Sequence, residues 1–152
     1  MTDEETHLTA PITDEDIAQL ENIELLFFAY RDFVSDPDKR LSNYNFGRAH
    51  HRVLYFVNRS PGMTVAELLD ILRITKQSLG RVLKQLIESG HIVQTEGATD
   101  RRKRLLFPTS KGRELILELS EPQSERLGKA LQSLDENERA TVVAFLKGMI
   151  SR

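Results

Sequence analysis

The sequence predicts a mainly α-helical fold with one small β-hairpin, and three observations carry that prediction. Apolar residues recur at three- and four-residue steps along most of the 152 residues, the spacing that gathers side chains on one face of an α-helix. Only two short runs are β-prone, His91-Ile92-Val93-Gln94 and Arg104-Leu105-Leu106-Phe107, and the polar stretch from Thr95 to Asp100 between them suits a hairpin loop. Helix boundaries are marked repeatedly, by a capping box at Thr64-Val65-Ala66-Glu67, by cap residues at Thr75 and Thr109, and by the Ser89-Gly90 stop.

Residues 1 to 12 are polar, include Pro11 and read as a loose tail. From Thr13 a helix is expected, with Thr13-Asp14-Glu15-Asp16 as cap and dipole-compatible acids and Ile17, Leu20, Ile23, Phe27 and Tyr30 as its stripe. Leu25, Leu26, Phe28 and Phe33 widen that arc. A helix apolar on several sides is buried on several sides, and in a chain this small another subunit can supply the second cover. Val34 to Asn45, with Ser35-Asp36-Pro37-Asp38, reads as an irregular loop. A second helix places Phe46, Ala49, His50, Val53 and Val57 on one face and ends near Asn58 to Gly62.

A short third helix runs through Leu68, Leu69 and Leu72, and a tight connection at Arg73-Ile74 leads to Thr75. The fourth helix has the cleanest amphipathic pattern, with Leu79, Val82, Leu83, Leu86 and Ile87 on one side. After the hairpin, Pro108 stops the second strand and Thr109 caps a long fifth helix bearing Leu115, Ile116 and Leu119, in which Pro122 should kink or break the ladder. Asp135 to Glu138 opens a last helix carrying Val142, Phe145, Leu146 and Met149.

Composition narrows the function classes. The absence of cysteine excludes disulfides, thiolate metal sites and cysteine redox sensing. No run of about 18 apolar residues exists, and Met1 to Glu5 is acidic where a signal peptide is basic, so a soluble, cytoplasmic chain with no membrane partner is expected. Nothing resembles a P-loop, a nucleophile elbow or a His-Glu-x-x-His helix, so no enzyme and no cofactor are expected. A metal site is disfavoured as well, because the adjacent His50 and His51 diverge by about 100° on a helix.

The charge map is more specific than the net charge of -2. Residues 1 to 45 carry 3 Lys/Arg against 11 Asp/Glu, whereas residues 73 to 113 carry 10 against 3. One contiguous segment therefore presents positive charge, the electrostatic footprint of a polyanion partner. Alone, the run Asp100-Arg101-Arg102-Lys103-Arg104 is an ordinary solvated loop. Preceded by helix, helix, short helix and amphipathic helix, it becomes the wing of a winged helix-turn-helix, whose second turn helix fits the major groove of double-stranded DNA. Outside the apolar stripe of that helix stand Lys76, Gln77, Ser78, Arg81, Lys84 and Gln85. Arg81 and Gln77 suit bidentate contacts to guanine and adenine, and Thr75, Lys76, Ser78 and Lys84 suit phosphates.

At this point the chain resembles the MarR family of bacterial transcription regulators. Asp100, Arg102, Leu106, Thr109 and Gly112 stand at the spacings of that family's wing signature, with Pro108 in place of the usual Leu. The phrase from Leu83 to Val93 looks like the family's exit from recognition helix to wing, and the run Phe46 to Leu54 resembles a PetP-like branch. The resemblance extends from Ile17 to Ile150. It implies one domain over 1–152, with a DNA-binding lobe at 46–112 and dimerisation helices at 13–34 and 110–152. It also implies a homodimeric repressor on a pseudo-palindromic operator, with Asp100 orienting Arg102 and with Arg102 or Arg101 entering the minor groove. Lys103 and Arg104 would support the backbone contacts or the wing's base.

Many members of the family respond to small aromatic or phenolic ligands. Phe27, Tyr30, Arg31, Phe46, Arg48, His50 and His51 are the residues here that can line such an effector site, as aromatic walls with a cation. Phe27, Phe46 and His50 lie on apolar stripes, where simple packing is the commoner role. The rival reading from another class is a winged-helix module that binds protein and never touches DNA; such modules usually lack a basic wing and a polar recognition face.

Overall fold

A computed structural model describes residues 8–151. The first seven residues of the expected polar tail, and Arg152, lie outside the described residues. The chain divides into two compact units, one ending at Phe33 and the other beginning at Val34.

The first unit holds most of α1 (Leu20–Ser35), which starts seven residues later than the sequence suggested. Residues 13–19 form turns instead: the Asp16 and Ile17 amides donate to the Thr13 carbonyl at 2.9 and 3.1 Å, and Gln19 adopts a left-handed φ of 70° that a helix cannot propagate. Asp14, one of the acids expected to cap a helix from Thr13, instead accepts the Leu20 amide with its carboxylate at 3.0 Å, from outside the helix. No residue of α1 is buried.

The second unit is mainly helical around a small antiparallel sheet. It comprises α2 (Asp38–Ser42), α3 (Arg48–Arg59), β1 (Met63–Thr64), α4 (Val65–Leu72), α5 (Lys76–Glu88), β2 (Ile92–Glu96), β3 (Arg104–Pro108), α6 (Ser110–Leu131) and α7 (Glu136–Met149). Its core is assembled from Leu41 of α2, Val53, Leu54 and Val57 of α3, Leu68 of α4, the inner face of α5, Ile92, Leu106, and Leu115, Ile116 and Leu119 of α6. Burial of a Leu-sized side chain contributes about 1.5–3 kcal/mol, so this shared cluster is what orients the helices.

Several expectations change here. The stretch read as an irregular loop contains α2, initiated at Pro37 and anchored by Leu41, which is 1% exposed; one turn of helix with a single buried residue is too short for periodicity to reveal. The hairpin is joined by a third strand, in the order β1-β3-β2, with Met63 opposite Leu106 and Thr64 opposite Leu105. Thr64 serves both structures: it ends β1 and caps α4, accepting the Glu67 amide at 3.1 Å while its own amide donates to the Glu67 carboxylate at 3.2 Å. On α3 the ring expected on the core stripe, His50, is half-buried, and the neighbouring His51 is the buried one. Phe46 precedes the helix, because Gly47 occupies the cap position.

The fifth expected helix, α6, runs unbroken through Pro122. Proline removes one N–H, here the donor for the Glu118 carbonyl four residues earlier. Arg40 of α2 supplies the replacement, its guanidinium donating to that carbonyl at 2.6 Å. At the C-terminal end the last helix opens where expected, and Asp135 and Glu138 close its start as a capping box, at 2.8 and 3.1 Å, yet α7 buries none of its residues.

Candidate nucleic-acid interface

Helix α5 is placed by its apolar side. Leu79, Val82, Leu83 and Leu86 are buried, which turns Lys76, Gln77, Arg81, Lys84 and Gln85 outward, all exposed, with Ser78 half-buried. Ile87, expected to extend the apolar stripe, is 36% exposed at its edge. The N-terminus is closed by Thr75, whose Oγ1 accepts the Ser78 amide at 3.1 Å and whose hydroxyl donates to Ser78 Oγ at 2.9 Å. Both hydroxyls thus have a structural partner at the same helix end that the sequence offered to phosphates. The turn from α4 is made by Arg73 in the left-handed region at φ 52°.

Gln85 is also engaged. His50 Nδ1 accepts the Gly47 amide at 3.0 Å, so the ring carries its proton on Nε2, and this donates to Gln85 Oε1. The ring stacks on Phe46 at 4.8 Å, and Phe46 meets the edge of His91 at 5.3 Å, with Tyr44 closing the group at 5.9 Å from His91. Tyr44 and His91 form no part of the sequence-based site; the signal for His91 was the tight exit of α5, which forces the residue after Gly90 inward, and Tyr44 had no local signal.

That exit carries the wing. Gly90 has φ 80°, a conformation that suits glycine, and turns the chain from α5 into β2. His91 is 1% exposed; its Nδ1 bonds Ser89 Oγ at 2.7 Å, and burial, assisted by the charge of Lys111, holds its pKa below the ordinary imidazole value. The first turn of α6 presses on the same point. Thr109 donates its amide to the His91 carbonyl at 3.1 Å and its hydroxyl to the Gly90 carbonyl at 2.6 Å, and Lys111 Nζ reaches the Ser89 carbonyl at 2.8 Å. A Cβ on residue 112 would stand 2.1 Å from the His91 carbonyl oxygen, which is why glycine is required three residues after Thr109.

From this anchored base β2 and β3 run in register from Ile92 opposite Pro108 to Glu96 opposite Arg104. The tip is an Asx turn: Asp100 Oδ1 accepts the Arg102 amide at 3.0 Å, and the Lys103 amide donates to the Asp100 carbonyl at 3.1 Å. The Arg102 Nε lies 4.0 Å from the Asp100 carboxylate, and the side chain is 97% exposed. Arg101, Lys103 and Arg104 are exposed beside it. Asp100 therefore shapes the backbone of the tip first and approaches the guanidinium only at the limit of an ion pair.

The aromatic and basic residues assigned to an effector fall in both units. Phe27, 61% exposed, meets Phe28 edge-on at 5.5 Å; Tyr30 is 59% exposed; Arg31 lies 4.8 Å over the Phe28 ring and bonds Asp32 at 2.9 Å. In the second unit Phe46 and His50 share the stack described above. Arg48 instead grips Asp38 with two bonds of 2.9 and 3.1 Å, and these hold the Asp38 carboxyl below the usual carboxylate range. Burial, with Arg52 nearby, lowers the pKa of His51. Among the described residues no three His, Cys, Asp or Glu side chains gather as metal ligands, and no helix is long and apolar enough to cross a membrane.

A helix-turn-helix whose second helix shows a polar face to solvent, followed by a basic hairpin fixed to the same core, defines a winged helix-turn-helix transcription regulator. A sequence model of the MarR family matches residues 44–103, the span from Tyr44 to the wing tip. The chain is 47% identical over 122 residues to the HTH-type transcriptional regulator PetP of Rhodobacter capsulatus, covering 80% of this chain and 72% of that one. This chain belongs to the MarR family. Its fold is similar to that of a Listeria monocytogenes MarR family regulator crystallised with a 26mer DNA (TM-score 0.70, 24% identity, 85% of this chain and 84% of that one). It is likewise similar to a mutant E. coli MarR in complex with operator DNA (TM-score 0.68, 20% identity, 93% and 100% covered).

Proposed function

We propose that this MarR family protein is a homodimeric repressor that reads a pseudo-palindromic operator with α5 in the major groove and the wing in the flanking minor groove. The observation that carries the reading is the outward face of α5, polar and cationic along its length and held in place by a buried apolar face. Major-groove readout needs long polar side chains on a rigid helix of this width. Gln77 and Arg81 stand where base edges would be met, and Lys76 and Lys84 flank them for phosphates. Thr75 and Ser78 contribute through the helix end they close. At the wing tip the solvent-exposed Arg102 suits a narrow A·T minor groove, whose negative potential attracts a guanidinium. Arg101, Lys103 and Arg104 add phosphate contacts, and Asp100 holds the turn that presents them.

The dimer reading is supported by α1 and α7, on which no residue is buried within one chain although Phe27, Leu146 and other large apolar residues lie on them. It would set half-sites roughly one helical turn, about 10 bp, apart. A small aromatic or phenolic ligand, recognised by some of Phe27, Tyr30, Arg31, Phe46, Arg48, His50 and His51, would release the DNA. Because Arg48 already grips Asp38, an anionic ligand would have to compete with that carboxylate.

The test is a pair of titrations at fixed salt on fragments retained from genomic DNA, with the parent also titrated over a series of salt concentrations. Arg102→Ala should weaken binding to the selected fragment about tenfold, about 1.4 kcal/mol, whereas Gln77→Ala should mainly narrow the gap between selected and random DNA. Parent-like behaviour of both variants, or an affinity of the parent that does not fall with salt, would leave the protein-binding module as the better account.

A further inference from the structure

The deletion of one backbone donor by Pro122 and its replacement from a different element make the middle of α6 depend on a short segment far away in sequence. In an ordinary helix each turn is closed by its own amides. Here the Glu118 carbonyl is closed by Arg40 at 2.6 Å instead. The same segment touches α6 again before and after Pro122. Tyr44 donates its hydroxyl to the Glu118 carboxylate at 3.3 Å, Arg40 lies 4.0 Å from Glu121, and Asp36 holds Arg126 with two bonds of 2.6 and 2.9 Å. The segment is fastened in turn to α3 by the Asp38–Arg48 pair and to the core by Leu41. Residues 36–44 thus form a strap from the winged lobe across the proline turn of α6, the helix that leads from wing to α7.

We propose that Arg40 is a positioning residue, a latch that completes the hydrogen-bond ladder of α6 at Pro122 and thereby fixes the direction in which the C-terminal helices leave the DNA-binding lobe. A charged donor on an orphan carbonyl is among the stronger hydrogen bonds, and an unfilled carbonyl at a proline is where a helix bends or opens. Since α7 is offered to a second copy in the function proposed above, on which this part rests, the latch sets the distance between the two α5 helices of the dimer. Its setting would be read out as the spacing of half-sites that the dimer accepts.

The distinguishing test uses the full chain and a pair of backgrounds. Arg40→Met keeps the apolar stem and removes every donor. In the parent background it should cut hydrogen-exchange protection of the amides of residues 123 to 126 about tenfold, and Arg40→Lys should recover part of it. Pro122→Ala restores the missing N–H, so in that background Arg40→Met should change protection little. Equal loss in both backgrounds, or none in either, overturns the latch, since Arg40 would then act only through Glu121 or not at all. The DNA arm uses duplexes selected by the parent from a randomised pool, with the half-sites then moved apart or together by single base pairs. Arg40→Met should broaden or shift the preferred spacing, and Arg40→Met with Pro122→Ala should return it. An unchanged spacing optimum despite lost protection overturns the positioning role. A parent that selects no DNA overturns the proposed function, and the exchange measurements alone then decide the latch.

Discussion

Helices α5 and α7 are almost the same length, 13 and 14 residues, and both carry apolar residues at helical spacing, yet α5 buries four of them and α7 none. The first helix, α1, behaves like α7. The difference separates a region that completes its own core from regions that do not. In the winged lobe α3, α4 and α5 send their main apolar residues to the same cluster, and on α5 the face left outside is polar. On α1 and α7 the outside is apolar, with Phe27, Phe145, Leu146 and Met149 roughly half exposed, and what such a surface selects is cover. One chain thus presents two kinds of recognition surface, one built by exclusion of apolar residues and one by their retention.

Substitutions can break or sharpen this contrast. The largest effect is expected within the lobe, at Gly112, where any Cβ meets a backbone carbonyl that has nowhere to move. Gly112→Ala should cost about 3 kcal/mol in urea unfolding and detach the wing base from α6. Next comes a matched pair, Leu146→Asp on α7 and Ile71→Asp on the lobe, at residues 49% and 47% exposed. If α7 is covered by a second copy, the first should raise the dimer dissociation constant by at least about 100-fold in sedimentation, since two side chains each worth about 1.5–3 kcal/mol are lost, and the second should leave it unchanged.

A smaller effect should appear with pH. His51 and His91 have folded-state pKa values below 6.5, because burial disfavours the imidazolium. The unfolded chain then takes up their protons first, so the stability they contribute is complete above about 6.5 and drains as pH falls below it. Asp36 and Asp38, held below 3.8 by Arg126 and Arg48, add a second loss from about pH 4 downwards. His91→Phe should flatten the upper part of the profile measured by thermal unfolding. The smallest effect belongs to Gly148 on α7, where an added Cβ meets nothing within 4 Å. Gly148→Ala should raise stability by about 0.5–1 kcal/mol through helix propensity, and a fall instead would put Gly148 against the second copy.

How far residues alone foretold these features depends on whether the cause is local. Thr64, Thr75 and Thr109 cap the helices they were expected to cap, and α7 opens at Asp135 where expected, because a helix start is decided within four residues. The α5 face was legible because four apolar residues at helical spacing define their opposite side without any knowledge of the partner. The α2 turn and β1 were not, since each is too short for a pattern and exists through a long-range contact, Leu41 with the core and Met63 with Leu106. The misjudged pair of histidines shows the same limit: His50 and His51 differ by one helical step, and only the neighbours of α3 settle which ring is enclosed.

Sequence was sufficient for the order of the longer helices and of the two hairpin strands, the cationic segment from Arg73 to Arg113, the wing signature and the family, all of which are written in spacing and local charge. Folding was needed to show that Gly112 is demanded by the His91 carbonyl, that Asp100 serves its own turn before its arginine, that Gln85 is tied to His50, and that Arg40 heals the ladder Pro122 interrupts. The physical reason is common to all four. Each is a contact set by hydrogen-bond geometry or hard-core approach, and such contacts are fixed by three-dimensional position, whereas hydrophobic periodicity is fixed by the chain's own helical repeat.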